Sequence, residues 1–350
     1  MNFMLDLNLL PPPRKISYQD KVLLVGSCFT EHIGNRLEEL KFPVLQNPNG
    51  ILFDPRSVAF SLVSYIQNKR YREDDLFYHN ELWQSWQHHS RFSDTDPTTC
   101  LQRINQSQQE THNFLKQANW LIITLGSAFS YHLTEETPSA CRKGIGHLRT
   151  NEFVDVPGGE VANCHRAPAQ WFYKHMMSIE EINTALDGCV HQLWQFNPKL
   201  KILFTISPVR HIRDGVVENN LSKARLIEVV HHLVNKFEGL YYFPAYELVI
   251  DVLRDYRFYD IDMVHPNYAA TEFVLEKFME NYIDDESASI AEEVKKIVTA
   301  RKHKAFQPGT KAHQQFLRNN FTKAQELMKR YPFLQLEEEL VYFNMEATSV

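Results

Sequence analysis

Two short strings in this chain carry residue types at a spacing that can do acyl chemistry. Gly26-Ser27-Cys28 follows the apolar run Val22-Leu23-Leu24-Val25 and precedes a segment with apolar residues at helical spacing, Ile33, Leu37 and Leu40. A four-residue apolar run closed by glycine reads as a buried parallel strand, too short to be a helix. The turn therefore sits at the carboxyl end of a strand, the edge where open α/β sheets bind ligands. It also opens a helix, whose free N–H groups favour developing negative charge. Ser27 and Cys28 are both candidate nucleophiles there. The second string is Asp262-Met263-Val264-His265-Pro266. A carboxylate three residues before an imidazole can orient it for proton transfer. Pro266 suits the first turn of a helix over 267–282, which would set His265 at a helix N-terminus and keep its ring neutral. Alone, the first string is an ordinary turn with a small buried Cys and the second a capping His. Together they supply a nucleophile, a base and an acid that orients the base.

The elements that must position these groups follow in order. Asp54-Pro55 opens a helix with Val58, Leu62 and Ile66 on one face, and Leu76–Phe92 reads as a strand–turn–strand carrying Trp83, Trp86, His88 and His89. That hairpin is read as an insertion packed on the domain edge in preference to an aromatic wall of the cleft. A helix over 98–119 leads to the buried strand Trp120–Leu125 and then Gly126-Ser127-Ala128. Glycine is scarce, 12 residues in all, so Gly26 and Gly126 directly after apolar strands stand out. The segment Phe129–Ala169, with Gly144, Gly146, Gly158 and Gly159, is expected to form a β-hairpin returning to the sheet edge, ending in Asn163-Cys164-His165-Arg166. Ser178 and Glu181 make a capping box for a helix to about 195. The strand Lys201–Ile206 ends in Ser207-Pro208-Val209-Arg210-His211, so Arg210 and His211 should face the same cleft as Cys28 and bind an anionic or carbonyl-bearing substrate. A helix over 219–237 carries Ser222-Lys223-Ala224 on its first turn, and residues 239–244 form the last strand.

These strings resemble a known family. A glycine and nucleophile after the first strand, with Asp-x-x-His-Pro near the domain's end, is similar to the SGNH (GDSL-like) hydrolase superfamily. Gly26-Ser27-Cys28-Phe29-Thr30 resembles the GSCFA family more closely, with Thr30 where that family usually has Ala. Thr124–Ala128, Asn163–Arg166, Ser207–His211, Ser222–Ala224 and Tyr242–Glu247 resemble it too, so the likeness spans roughly 20–270. The resemblance implies a three-layer α/β/α sandwich with a mostly parallel, flavodoxin-like sheet. It sets Cys28 at the nucleophilic Ser, while a one-residue shift would choose Ser27; Cys28 is preferred. It implies an oxyanion hole from the N–H groups of Cys28 and Gly126, but puts Ala128 where SGNH enzymes carry an Asn donor. Loss of such a donor typically costs about 10²–10³ in rate. Asn163 or His165 is the expected substitute.

Bulk properties bound the partners. A net charge of −6 with 23% charged residues gives no basic surface for nucleic acid. Five cysteines without a C-x-x-C pair suit a reducing compartment, and the short N-terminal apolar stretch ending in Pro11-Pro12-Pro13 makes a poor signal peptide. No apolar run reaches about 18 residues. A cytoplasmic protein is expected, without a membrane span, metal or organic cofactor; adjacent Cys164 and His165 lack zinc-ligand spacing. Residues 1–284 read as the hydrolase-like domain and 285–350 as an α-helical extension, in which 287–303 and 310–330 are helical and could support oligomerisation. The functional expectation is hydrolysis or transfer of an acyl ester or thioester, including an acetylated carbohydrate, through a covalent acyl-enzyme. The competing expectations are a catalytically degenerate binder of a carbohydrate or metabolite, and an adaptor acting through its helical tail.

Overall fold

The computed structural model describes residues 5–142 and 160–348. β1 (Val22–Gly26) passes through Ser27 into α1 (Cys28–Glu39), and β2 (Val44–Gln46) returns beside it. α2 (Pro55–Ile66), the hairpin β3 (Phe77–His79) and β4 (Leu82–Gln84), α3 (Pro97–Gln117) and β5 (Trp120–Leu125) follow. β6 (Phe129–Leu133), β7 (Glu160–Val161) and β8 (Phe172–Met176) precede α4 (Ile179–Phe196), β9 (Lys201–Ile206), α5 (Val216–Lys236) and β10 (Leu240–Phe243). A short α6 (Ala245–Glu247) runs into a π-helical turn (Leu248–Leu253) before α7 (Tyr268–Tyr282). The chain closes with α8 (Asp285–Lys302), α9 (Lys311–Arg330) and α10 (Glu337–Thr348).

The central sheet has five parallel strands in the order β2-β1-β5-β9-β10, a flavodoxin-like arrangement. Its strands are continuous apolar runs because helices cover both faces. Leu23, Val25, Leu121, Ile123, Phe204 and Ile206 meet α2, α4 and α5 on one face. Val22, Leu24, Trp120, Ile122 and Leu203 meet α1, α7 and α8 on the other. The chain leaves β1 toward β2 and then crosses back to β5. The crevice at the carboxyl ends of β1 and β5 is therefore the switch point of the sheet.

Several expectations are corrected. The described residues of 129–176 do not return to the main sheet; β7, β6 and β8 form a separate three-stranded antiparallel sheet with its own core around Trp86, Val161 and Trp171. Gly144, Gly146, Gly158 and Gly159 lie outside the described residues. Helix α7 starts at Tyr268 with Asn267 as its cap, so Pro266 and His265 precede the helix and are not part of its first turn. Asn267 wins the cap because its side chain accepts the Ala270 N–H at 3.2 Å. The aromatic hairpin, by contrast, packs as an insertion as expected: Trp86 is fully buried, stacked on Phe77, and donates its indole N–H to the Cys141 carbonyl.

Candidate active site

The turn after β1 is built by close approach. Gly26 has φ +151°, and a Cβ there would lie 2.3 Å from the Thr124 carbonyl oxygen, so β1 and β5 come together where a side chain cannot fit. Ser27 is the N-cap of α1: its Oγ accepts the Phe29 N–H at 3.3 Å and the residue is 3% exposed. Cys28, the first helical residue, is half-buried. One position thus spends its hydroxyl on the cap while the next keeps its thiol partly exposed at the carboxyl end of β1. The thiol pKa is raised from its ordinary value. Burial is the main cause; the Phe29 and Cys28 N–H groups and the Lys223 ammonium pull it back, and Glu31 pushes it up. The free N–H groups of a helix start favour negative charge, as the sequence suggested, but desolvation of a half-buried sulfur outweighs what the first helical turn offsets.

Asp262 and His265 do converge. Asp262 Oδ2 lies 2.7 Å from His265 Nδ1, while its Oδ1 accepts the N–H groups of Val264 (2.9 Å) and His265 (3.0 Å). The carboxylate folds its own loop and orients the ring, leaving Nε2 for proton exchange. The hydrogen bond with the imidazole holds the Asp262 carboxyl down to about 2. The loop is tied to the sheet edge by the Arg210 N–H, which donates to Val264 O at 3.1 Å. His265 lies close enough for its charge to act on His32 and His211.

The other expected site residues divide. Arg210 donates to the Tyr256 hydroxyl at 2.9 Å and covers the Tyr259 ring at 4.5 Å, so it braces the His265 loop and is not a free anion receptor. His211 packs against Phe53, ring centroids 5.1 Å apart, and burial pushes its pKa down to about 4, which keeps it neutral. Gly126 stands at the cleft, but its N–H donates to Phe53 O at 2.8 Å and is not available to an oxyanion. Asn163 and His165 belong to the insertion. Asn163 Oδ1 accepts the His165 N–H at 2.9 Å, and His165 Nε2 meets Ser85 O at 2.7 Å with the ring 7% exposed. His165 therefore faces the Trp86 core and cannot serve the cleft. No described contact joins Asn163 to the Cys28 turn. Burial raises the neighbouring Cys164 thiol to about 12. Among the described residues, no group of three or more His, Cys, Asp or Glu side chains could hold a metal ion.

The model of the GSCFA family matches residues 21–278, most of the chain and every residue just described. The chain belongs to the GSCFA family. A second model, the C-terminal domain of GSCFA domain proteins, matches residues 294–348, covering the second half of α8 and all of α9 and α10. No curated protein matches the chain.

In this GSCFA chain the residue whose place the sequence only hinted at, in Ser222-Lys223-Ala224, is Lys223. It lies on the inward face of α5, is 1% exposed, and donates to Gly126 O at 2.5 Å and Ser207 O at 2.7 Å. Those carbonyls end β5 and β9, so the amine sits on the same carboxyl edge as Cys28. Burial pushes its pKa down to about 7. Its neighbour Ser222 accepts the Ala128 N–H at 2.7 Å. A signal was present: Lys223 stands in register with Leu226, Val230 and Leu233, all buried, and a cation on an apolar stripe is the anomaly to look for.

Proposed function

We propose that this chain is an acyl-transfer enzyme, a hydrolase or acyltransferase for an acyl ester or thioester, acting through a covalent S-acyl Cys28. The observation that carries this reading is the Asp262–His265 hydrogen bond on a loop tied to the sheet edge where Cys28 opens α1. The resemblance to SGNH hydrolases supports it. Cys28 is favoured over Ser27 because the Ser27 hydroxyl is buried in the cap. In the first step the Cys28 sulfur bonds to the acyl carbon as His265 Nε2 takes the thiol proton. His265 then returns that proton to the departing alkoxide or thiolate as its bond to the acyl carbon breaks. Water or a second acceptor releases the acyl group with His265 again as base. Because the resting thiol is held protonated, the base is needed at the moment of attack. The Cys28 N–H at the start of α1 serves as the oxyanion donor in this scheme.

The test is intact mass after brief exposure to an activated acetyl ester. Wild type gains one acetyl group, Cys28→Ala gains none, Ser27→Ala still labels, and His265→Ala labels roughly 10²–10⁴-fold more slowly. Labelling that is absent in wild type, or indifferent to Cys28→Ala, overturns the proposal. It would favour the second reading, a binding protein for a carbohydrate or metabolite. The engaged Gly126 N–H and the missing amide at Ala128 support that alternative.

A further inference from the structure

Lys223 is a cation with no charge partner of the ordinary kind. It is 1% exposed, and among the described residues no carboxylate lies within ion-pair distance of it. A buried ammonium held only by neutral carbonyls is costly to keep charged, so such groups are paired or become neutral. The acidic group whose charge reaches it is Cys28. The geometry explains why. Lys223 Nζ is fixed 2.5 Å from the Gly126 carbonyl oxygen. A Cβ on Gly126 would in turn lie 3.5 Å from Cβ of Ser27, the residue bonded to Cys28. Two carbonyls account for two of the three protons of an ammonium, leaving one N–H without an acceptor among the described contacts.

We propose that Lys223 and Cys28 form one coupled acid–base pair, in which the buried amine carries the positive charge that matches negative charge on the Cys28 sulfur or on the oxyanion of its acyl adduct. This rests on the preceding reading only in taking Cys28 as the reacting atom. It assigns Lys223 a positioning role: the side chain acts through its field, and its two carbonyl bonds fix where that field sits. Among the described residues the other groups facing the pair include His265, the base assigned to the Cys28 thiol. Glu31 on α1 opposes ionisation of Cys28, the Tyr246 ring lies 5.9 Å from Lys223 Nζ, and His211, neutral above about pH 4, packs against Phe53 nearby. When one proton is lost, the pair holds either a neutral amine beside a thiol or an ammonium beside a thiolate. The second form is the nucleophile, and its population grows until Lys223 has titrated.

The experiment follows alkylation of Cys28 by iodoacetamide against pH, reading the Cys28 peptide by mass. In wild type the rate climbs, levels as Lys223 titrates near pH 7, and climbs again when the thiol ionises beside the neutral amine. Lys223→Met removes the lower step and slows alkylation at pH 7 about tenfold, while a purely structural lysine would change melting temperature and leave the profile alone. A folded Lys223→Met protein that keeps the lower step overturns the proposal. A second arm does not need that variant to fold. With ¹³C-labelled lysine, the Lys223 Cε titration lies about one pH unit higher in Cys28→Asp than in Cys28→Asn, since coupling is reciprocal. Equal midpoints overturn the proposal. Neither arm requires turnover, so failure of acylation and failure of this coupling are separate results.

Discussion

At the scale of single residues, Ser27 and Cys28 show how one step along the chain changes a side chain's fate. At the cap position the hydroxyl turns back onto the Phe29 N–H, whereas the next side chain stays partly exposed beside the core. Ser27→Ala is therefore expected to cost about 1 kcal/mol in urea denaturation with Cys28 alkylation retained. Asp262 is the opposite case, with both oxygens engaged on its own loop. In Asp262→Asn the amide oxygen can still hold the backbone turn, but the NH₂ group faces Nδ1 and selects the wrong tautomer. Acetyl-ester labelling should slow by up to about 10⁴-fold while the melting temperature changes little.

At the scale of elements, the site depends on how closely β1 and β5 approach and on how firmly the helices begin. Gly26→Ala forces an L-residue to φ +151° with its Cβ 2.3 Å from backbone oxygen. The conformation alone costs about 1–3 kcal/mol, and the clash adds to it, so this variant should melt earlier and lose ester labelling together. Helix α4 begins with the Ser178/Glu181 box. Burial alone would raise the Glu181 pKa, but the Ser178 N–H, His175 and Arg56 hold it down to about 2. A depressed folded-state pKa gives stability that is present above the ordinary carboxylate value and is lost as pH falls through the folded value. Wild type should therefore melt above Glu181→Gln at pH 7, and the gap should shrink between about pH 4.5 and 2.

At the scale of the whole molecule, the C-terminal helices pack into the core of the domain. Ile290, Ala291 and Val294 of α8, Leu327 of α9, and Leu334 and Leu336 share one cluster with β1 and α7. Asp284 N–H donates to Ile16 O, and Ser287 Oγ accepts the Tyr18 N–H, both at 3.0 Å. Glu339, 1% exposed, binds Lys41 at 3.0 Å and Arg301 at 2.9 Å, joining α10 to the end of α1 and to α8. Glu339→Gln should lower stability by about 1–3 kcal/mol, a modest loss because Arg301 can turn to water. Ending the chain at Asp284 uncovers that apolar face, and the shortened protein should bind a hydrophobic dye or aggregate. No helix among the described residues is long and apolar enough to cross a membrane.

The sequence by itself determined the elements that carry their own code: buried strands as apolar runs, the Asp54 and Ser178 caps, and the Asp262 turn, whose partners lie within three residues. Local spacing is enough there because the contacts are local. It also placed the Gly26-Ser27-Cys28 turn correctly, since a strand, a glycine and a helix leave few alternatives. Only the tertiary structure decided which polar groups are already occupied. The Gly126 N–H is claimed by Phe53, 73 residues earlier, and His165 by Ser85, 80 residues earlier. Tertiary structure likewise decided that Cys28 is buried enough for desolvation to outweigh the helix N-terminus, and that Lys223 ends between the carbonyls of Gly126 and Ser207. Burial and pairing across the sheet arise from long-range packing, and one-dimensional spacing carries no record of which distant group arrives first.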